Sequence, residues 1–308
     1  MEKITHKRMQ YLRENIPDWH FPMLNDKQRN KVYDEAIGKV VNGKIIMDLG
    51  TGSGLLAMMA ARGGARKVYA IEQNARLCQV AKAIIHKNGF EDVIHIIQKP
   101  VDDLTQDDIP LSVDVIITEI FDAGLLGEGC LKSIQKAKKF LTPKGLVLPK
   151  KAKIMGVLRT SNELRAKHLL PQHILGFDIN PFLELRIHGA LEKLNKEVSY
   201  DNLSEPTIIK TFDFNSLFSK EFACKVDFKI KNNGKIDCLG VWFTLYLDEV
   251  LTLENHPGSS LHWDQWLLFP PESIPAQKGD LVTIAFNNYG GRLIAEEWKI
   301  NGKRRTFF

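Results

Sequence analysis

Glu119 and Glu128 are separated by eight residues in Thr118-Glu119-Ile120-Phe121-Asp122-Ala123-Gly124-Leu125-Leu126-Gly127-Glu128-Gly129. The run Asp114-Val115-Ile116-Ile117-Thr118 before them reads as a buried strand. A strand end that turns into a glycine-rich loop is where open α/β sheets place ligands. Two carboxylates on such a loop hold one cation from two sides. A guanidinium is planar and offers five N–H donors, so it suits two-sided carboxylate binding. The pair therefore points to an arginine side chain as the bound group. The plain alternative is two surface acids. Glu119 ends an apolar strand, where burial is expected, and that favours a functional role.

A second loop, Asp48-Leu49-Gly50-Thr51-Gly52-Ser53-Gly54-Leu55, follows an apolar run and opens a helical pattern. Glycines let the backbone approach a ligand closely, and the helix start offers free N–H groups. Glu72 ends the next strand about twenty residues on, where an acid binds ribose hydroxyls. A dinucleotide fingerprint needs a third glycine where Leu55 stands, and here an acid precedes the loop. S-adenosylmethionine, with an amino acid end and a ribose but no pyrophosphate, fits better. The plain alternative is a tight turn in a structural sheet, yet loop, strand and acid agree in spacing.

The elements that must position these loops alternate. Strands are expected at Ile45-Ile46-Met47, Val68-Tyr69-Ala70-Ile71, Ile94-His95-Ile96-Ile97 and Val115-Ile116-Ile117, with helices at 54–62, 74–88 and 130–141. That alternation predicts an α/β class with a doubly wound, Rossmann-like sheet. After Pro149 the texture changes. Thr207–Phe214, Cys224–Ile230, Leu239–Leu247, Trp266–Phe269, Leu281–Phe286 and Leu293–Ile300 read as strands between Gly, Pro and Asn turns, which predicts an antiparallel β domain. The expected division is a helical segment at 1–43 with Tyr11 and Trp19 as aromatic anchors, a nucleoside-binding domain at 44–149, and a β-barrel-like domain at 150–308. Residues 178–200 fit neither pattern and are expected to project as an arm.

The composition of 308 residues, with 44% hydrophobic and 26% charged, is that of an ordinary globular protein. The net charge of +5 comes without an extended basic stripe, so no direct nucleic-acid partner is expected. No apolar run reaches the length of a membrane span. The start Met-Glu-Lys-Ile-Thr-His-Lys-Arg has no apolar core of a secretory signal, and the expected location is cytoplasmic, with the nucleus as an alternative. Cys78, Cys130, Cys224 and Cys238 show no metal or disulfide spacing and read as reduced thiols. The nine histidines show no ligand pattern either, and no metal is expected. The lysines from Lys132 to Lys153 read as a solvated face rather than a docking site. Phe307 and Phe308 are expected to dock onto the β domain.

Taken in order, these motifs resemble the protein arginine methyltransferase family over nearly the whole chain. Trp19-His20-Phe21-Pro22-Met23-Leu24-Asn25-Asp26-Lys27-Gln28-Arg29 looks like its cofactor-closing helix. The Gly50 loop with Glu72 looks like its donor motif, Glu119 and Glu128 like its paired-glutamate loop, and Leu261-His262-Trp263-Asp264-Gln265 like its later His-Trp loop. The wording is most similar to the ninth branch, then the seventh. Those relatives carry two tandem modules, and this chain has room for one.

The resemblance implies roles residue by residue. His20 and Arg29 would meet the donor's amino acid end, Asp48, Gly50 and Gly52 would frame the donor, and Glu72 would hold its ribose. Asp102, where the family often has a glutamate, would accept from the adenine amine. Asp26 and His262 would pair at the active site beside Glu119 and Glu128. Met23, Asp122 and Trp263 would face the substrate, with Met23 and Cys130 lining the methyl-accepting end. The implied reaction is methyl transfer to arginine in protein substrates, leaving S-adenosylhomocysteine. The implied assembly is a homodimer joined by the arm. Asp122 adds a carboxylate to the substrate loop, which predicts a preference for basic flanks. Ile120-Phe121 in place of Trp-Met predicts monomethylarginine first, symmetric dimethylarginine second and not the asymmetric product. The competing readings are a small-molecule methyltransferase and a binding or scaffold protein that keeps the donor fold without turnover.

Overall fold

The structure, a computed structural model, describes residues 16–171, 173–183, 189–194 and 198–304. Tyr11, Phe307, Phe308 and the arm residues 184–188 and 195–197 lie outside the described residues.

Five strands form the first sheet: β1 (Ile45–Leu49), β2 (Lys67–Glu72), β3 (Ile94–Gln98), β4 (Val113–Thr118) and β5 (Leu141–Leu148). All pairings are parallel, in the order β3-β2-β1-β4-β5. Every residue of β1 is buried, as expected of a strand covered on both faces. Covering helices follow the strands. The helix Ala75–Lys87 is capped by Asn74, whose side chain accepts from Arg76 N and Leu77 N, and it buries Leu77, Cys78, Ala81 and Ile85 on one stripe. The chain leaves β1 toward β2 on one side and returns to β4 on the other. The order reverses between β1 and β4, so the crevice at their carboxyl ends is the topological switch point. The Gly50 loop and Glu119 both open there.

The four predicted parallel strands are present. β5 was not foreseen. Its sequence, Leu141-Thr142-Pro143-Lys144-Gly145-Leu146-Val147-Leu148, contains a proline and a glycine, residues that erase a strand pattern. The helix expected over 130–141 ends at Ala137, followed by a short 3-10 turn, Lys138–Phe140.

Strand β6 (Lys151–Thr160) begins the antiparallel part. It pairs with Thr207–Asp213 on one side and Cys238–Tyr246 on the other, inside a seven-stranded sheet. Its lysines hid it in the sequence, because Lys151 and Lys153 face out while Ala152 and Ile154 are buried. A four-stranded sheet contains Ala223–Lys229, Leu281–Tyr289 and Arg292–Ile300. One apolar core runs through both halves, from Tyr33 and Ile46 to Phe212, Phe243 and Trp298. Just before the expected arm, and reaching only its first residue, the strands His173–Ile174 and Phe177–Asp178 form a small hairpin that leaves Leu175 and Phe177 94% and 74% exposed.

The lysine face is largely occupied. Lys132 and Lys136 pair with Asp102, Lys138 donates to the carbonyls of Phe214 and Ser216, and Lys139 donates to that of Leu104.

Candidate active site

A cavity of about 440 Å³ opens at the switch point. His20, Met23, Arg29, Gly50, Gly52, Glu72, Glu119 and Glu128 line it. Eight residues named from the sequence therefore meet in one place, carried by the short helix His20–Asn25, the helix Lys27–Gly38 and the ends of β1, β2 and β4.

Gly50 has φ +68°, and a β-carbon there would come 2.3 Å from Ile120 Cγ2. Only glycine leaves the floor of the cavity open between β1 and β4. Glu72 is buried and holds the loop through both oxygens, accepting from Gly52 N at 3.0 Å and Asn74 N at 2.8 Å. A carboxylate has about four lone-pair positions, so two remain for hydroxyls of a ligand. Asp48 is fully buried and accepts from Thr51 Oγ1 at 2.6 Å. Burial pushes its carboxyl up to about 6, against the opposing pull of Thr51 and Arg29.

Arg29 joins the two ligand regions. Its Nη2 donates to Glu119 Oε2 at 2.7 Å, with both side chains almost wholly buried. Its guanidinium lies over the Tyr33 ring, 5.2 Å from the centroid, and Tyr33 itself donates to Thr118 O. Burial alone would lower the guanidinium's proton affinity, and the charge of Glu119 reverses that. Of the buried side-chain polar atoms without a hydrogen-bond partner among the described residues, three belong to this site: Arg29 Nε, Asp48 Oδ1 and Glu119 Oε1. Buried polar groups are normally paired, so these three ask for a ligand with polar, charged ends.

Asp26 does two jobs. Its Oδ1 caps the helix Lys27–Gly38 by accepting from Arg29 N at 2.9 Å. Its Oδ2 accepts from the His262 backbone N at 2.8 Å and faces His262 Nδ1 at 3.0 Å. Burial opposes its charge, but these hydrogen bonds hold the carboxyl below the usual range. The far nitrogen, His262 Nε2, lies 4.0 Å from Glu119 Oε1. Helix start, histidine and first glutamate thus form one chain of contacts.

Glu128 is different. Its carboxyl is pushed up to about 7, first by protein mass around it and then by repulsion from Glu119, Asp122 and Glu72. Its outer side remains open to solvent at the mouth of the cavity, which screens those repulsions. A carboxyl that titrates near neutrality can accept a proton during a reaction.

Four expectations need correction. Asp102 is not among the residues lining the cavity; Lys99, Pro100 and Val101 are, and the short turn Val101–Asp103 carries Asp102 outward to Lys132 and Lys136. Asp122 turns inward on its own loop, where Oδ1 accepts from Gly124 N at 3.1 Å and Gly127 N at 2.9 Å. That brace holds a turn in which Leu125 takes φ +76°, rare for a non-glycine residue. Trp263 is buried, and its indole donates to Phe121 O at 2.8 Å, so it props the loop. Cys130 is fully buried and donates to Leu125 O, also inside the loop; Met23 does line the cavity. Lys99–Val101 carried no signal of their own in the sequence beyond following a strand.

Known proteins resemble this chain over most of its length. The family described as Ribosomal protein L11 methyltransferase (PrmA) matches residues 32–156. An arginine N(omega)-methyltransferase of Streptomyces achromogenes subsp. streptozoticus is 33% identical over 279 residues, which cover 89% of this chain and 77% of that one. Protein arginine N-methyltransferase 9 of Xenopus laevis is 31% identical over 301 residues; the match covers 87% of this chain but only 36% of that relative. Among solved structures, the Trypanosoma brucei PRMT1 enzyme-prozyme heterotetrameric complex with AdoHcy superposes with a TM-score of 0.78 at 26% identity, covering 92% of this chain and 91% of that one.

Proposed function

The chain belongs to the protein arginine N-methyltransferase family, and from that premise we propose that it transfers a methyl group from S-adenosylmethionine to a guanidino nitrogen of arginine in protein substrates. The observation that carries this is the Arg29–Glu119 pair, which links a donor cavity floored by Gly50 to two carboxylates suited to a guanidinium. Arg29 is placed to meet the donor's carboxylate, and Glu72 keeps acceptor positions for its ribose.

The donor supplies a methyl group on a sulfonium, an electrophile that needs no metal. Glu119 Oε1 and the Glu128 carboxylate fix the guanidinium and draw its positive charge away from the attacking nitrogen. That nitrogen forms the new N–C bond and gives up a proton. Glu128, titrating near neutrality, takes the proton, and Asp26 with His262 holds Glu119 in place beside it.

The finer features are proposals as well. The charges of Glu72, Glu119 and Asp122 act on Glu128, and this local excess of carboxylates supports a preference for basic residues flanking the target. Asp122 contributes through its charge and not through contact. The exposed Phe182 in the arm, with the exposed Leu175 and Phe177 just before it, supports an arm region that joins two copies. The monomethyl product rests on the resemblance of Ile120-Phe121, in place of Trp-Met, to the branches that make it; Ile120 lines the cavity, whereas Phe121 is buried and stacks on Phe214.

A second reading has its own support: the Streptomyces relative is named for arginine, without mention of protein. Incubation of the purified chain with labelled donor, an arginine-rich peptide and, separately, free L-arginine decides between them. Label on the peptide supports the proposal, label on free arginine alone replaces protein with the amino acid, and label on neither overturns both.

A further inference from the structure

Asn255 follows the strand Thr252–Glu254 and is fully buried. Its Oδ1 accepts from Phe243 N at 2.7 Å. Its Nδ2 donates to Asp264 O at 2.7 Å and to Ala123 O at 3.2 Å. Its backbone N donates to Phe243 O, and its carbonyl accepts from Gln265 Nε2 at 2.9 Å. A primary amide has two protons, so both carbonyls are served by one group rooted on the strand Cys238–Tyr246.

The two carbonyls belong to the two loops that carry the reacting groups. Ala123 lies between Glu119 and Glu128, and Asp264 lies two residues after His262. His262 Nε2 and Glu119 Oε1 are 4.0 Å apart although 143 positions separate them in the chain (262 − 119). No pair of strands joins these two loops among the described residues. Trp263 Nε1, donating to Phe121 O, also ties the two loops together.

We propose that Asn255 is a positioning residue that sets the separation of His262 from the paired glutamates. This rests on the arginine methyltransferase reading. Asn255 touches neither the donor cavity nor the acceptor site, so its effect reaches catalysis through the two loops alone.

The test uses Asn255→Ala and the isosteric Asn255→Asp in the full chain. Donor affinity by calorimetry should stay within about twofold of wild type for both. Turnover of an arginine-rich peptide, normalised to donor-binding protein, should fall by about tenfold to a hundredfold in Asn255→Ala, since a misplacement of an ångström costs on that order. The acid limb of its pH–rate profile should move as well, because losing the bond to Ala123 O frees the loop between Glu119 and Glu128, and their repulsion depends on their spacing. In Asn255→Asp an ionised carboxylate faces two carbonyl oxygens, whereas its protonated form donates to one. Its rate relative to wild type should therefore rise as pH falls, a trend that a merely space-filling role would not produce. Should Asn255→Ala fail to accumulate as folded protein, Asn255→Asp carries the test by itself. Normalised rates within twofold of wild type and a flat Asn255→Asp ratio would overturn the inference. Wild-type protein that methylates no arginine overturns the underlying reading and the inference with it.

Discussion

Glu128 is destabilised by its own charge at neutral pH. Its folded proton affinity is raised from the ordinary 4.5 to about 7, so the charged form is disfavoured in the native state. The sign follows: the native state carries no penalty below about 4.5, loses stability as pH rises from there toward 7, and keeps that loss above it. Glu128→Gln should therefore raise the melting temperature at pH 8 and leave it unchanged at pH 4. The same substitution should lower turnover by about two to three decades, the usual cost of one positioned electrostatic group. A bound guanidinium favours the carboxylate, so the apparent KM for the acceptor should rise as pH drops below about 7. Melting curves and acceptor kinetics across that range check all three; an unchanged rate in Glu128→Gln would remove Glu128 from the reaction. At this scale the sequence was informative where residue type implies chemistry. Type and spacing marked Glu119, Glu128 and Glu72, and the family resemblance added Arg29, Asp26 and His262. The same reading misdirected Asp122, Trp263 and Cys130, because direction was the missing quantity. A carboxylate beside two glycines can face a substrate or cap its own turn, and only the backbone path of the loop decides.

The loop after β1 shows what an element contributes. Gly50 combines a positive φ with a close approach to Ile120, and the two requirements are separable. Gly50→Ala should weaken donor binding by at least tenfold, because the side chain either fills the cavity floor or pushes Ile120 and with it the start of the paired-glutamate loop. Adding Ile120→Ala relieves the contact but not the backbone strain, which costs about 1 kcal/mol or more in the left-handed region. Donor affinity in the double variant should recover in part. Calorimetry on the two proteins checks this, and a double variant no better than the single one would show that strain alone governs the site. β1, β2 and β4 were legible because nearly complete burial leaves continuous apolar runs. β5 and β6 were not: Pro143 and Gly145 interrupt the first, and outward lysines mask the second. Asp102 was misplaced because the turn Val101–Asp103 points it to Lys132 and Lys136, a direction that no spacing rule contains.

Across the whole molecule, the two loops meet because the β half folds back onto the crevice of the parallel sheet. One continuous core joins the halves, so the acceptor site is a product of the tertiary fold and of neither half alone. That closure was legible only through family resemblance; no local pattern places Asn255 or His262 beside residues far earlier in the chain. The exposed hairpin just before the arm carries a separate expectation. Leu175 and Phe177 are 94% and 74% exposed on one tight hairpin. Leu175→Ser with Phe177→Ser should convert a dimer into a monomer in light scattering at micromolar concentration, with little change in melting temperature. Wild-type protein that is monomeric under the same conditions would contradict the proposed assembly.

The central claim is that this cavity methylates arginine through its paired glutamates, and product analysis tests it most directly. After exhaustive reaction with isotopically labelled S-adenosylmethionine and an arginine-rich peptide, the acid hydrolysate is resolved by mass spectrometry, with Glu128→Gln run in parallel. The account predicts labelled monomethylarginine from the wild-type chain and at least a hundredfold less from the variant at equal donor occupancy, the scale expected for one lost electrostatic group. Label on any residue other than arginine, or equal yields from the two proteins, would contradict it.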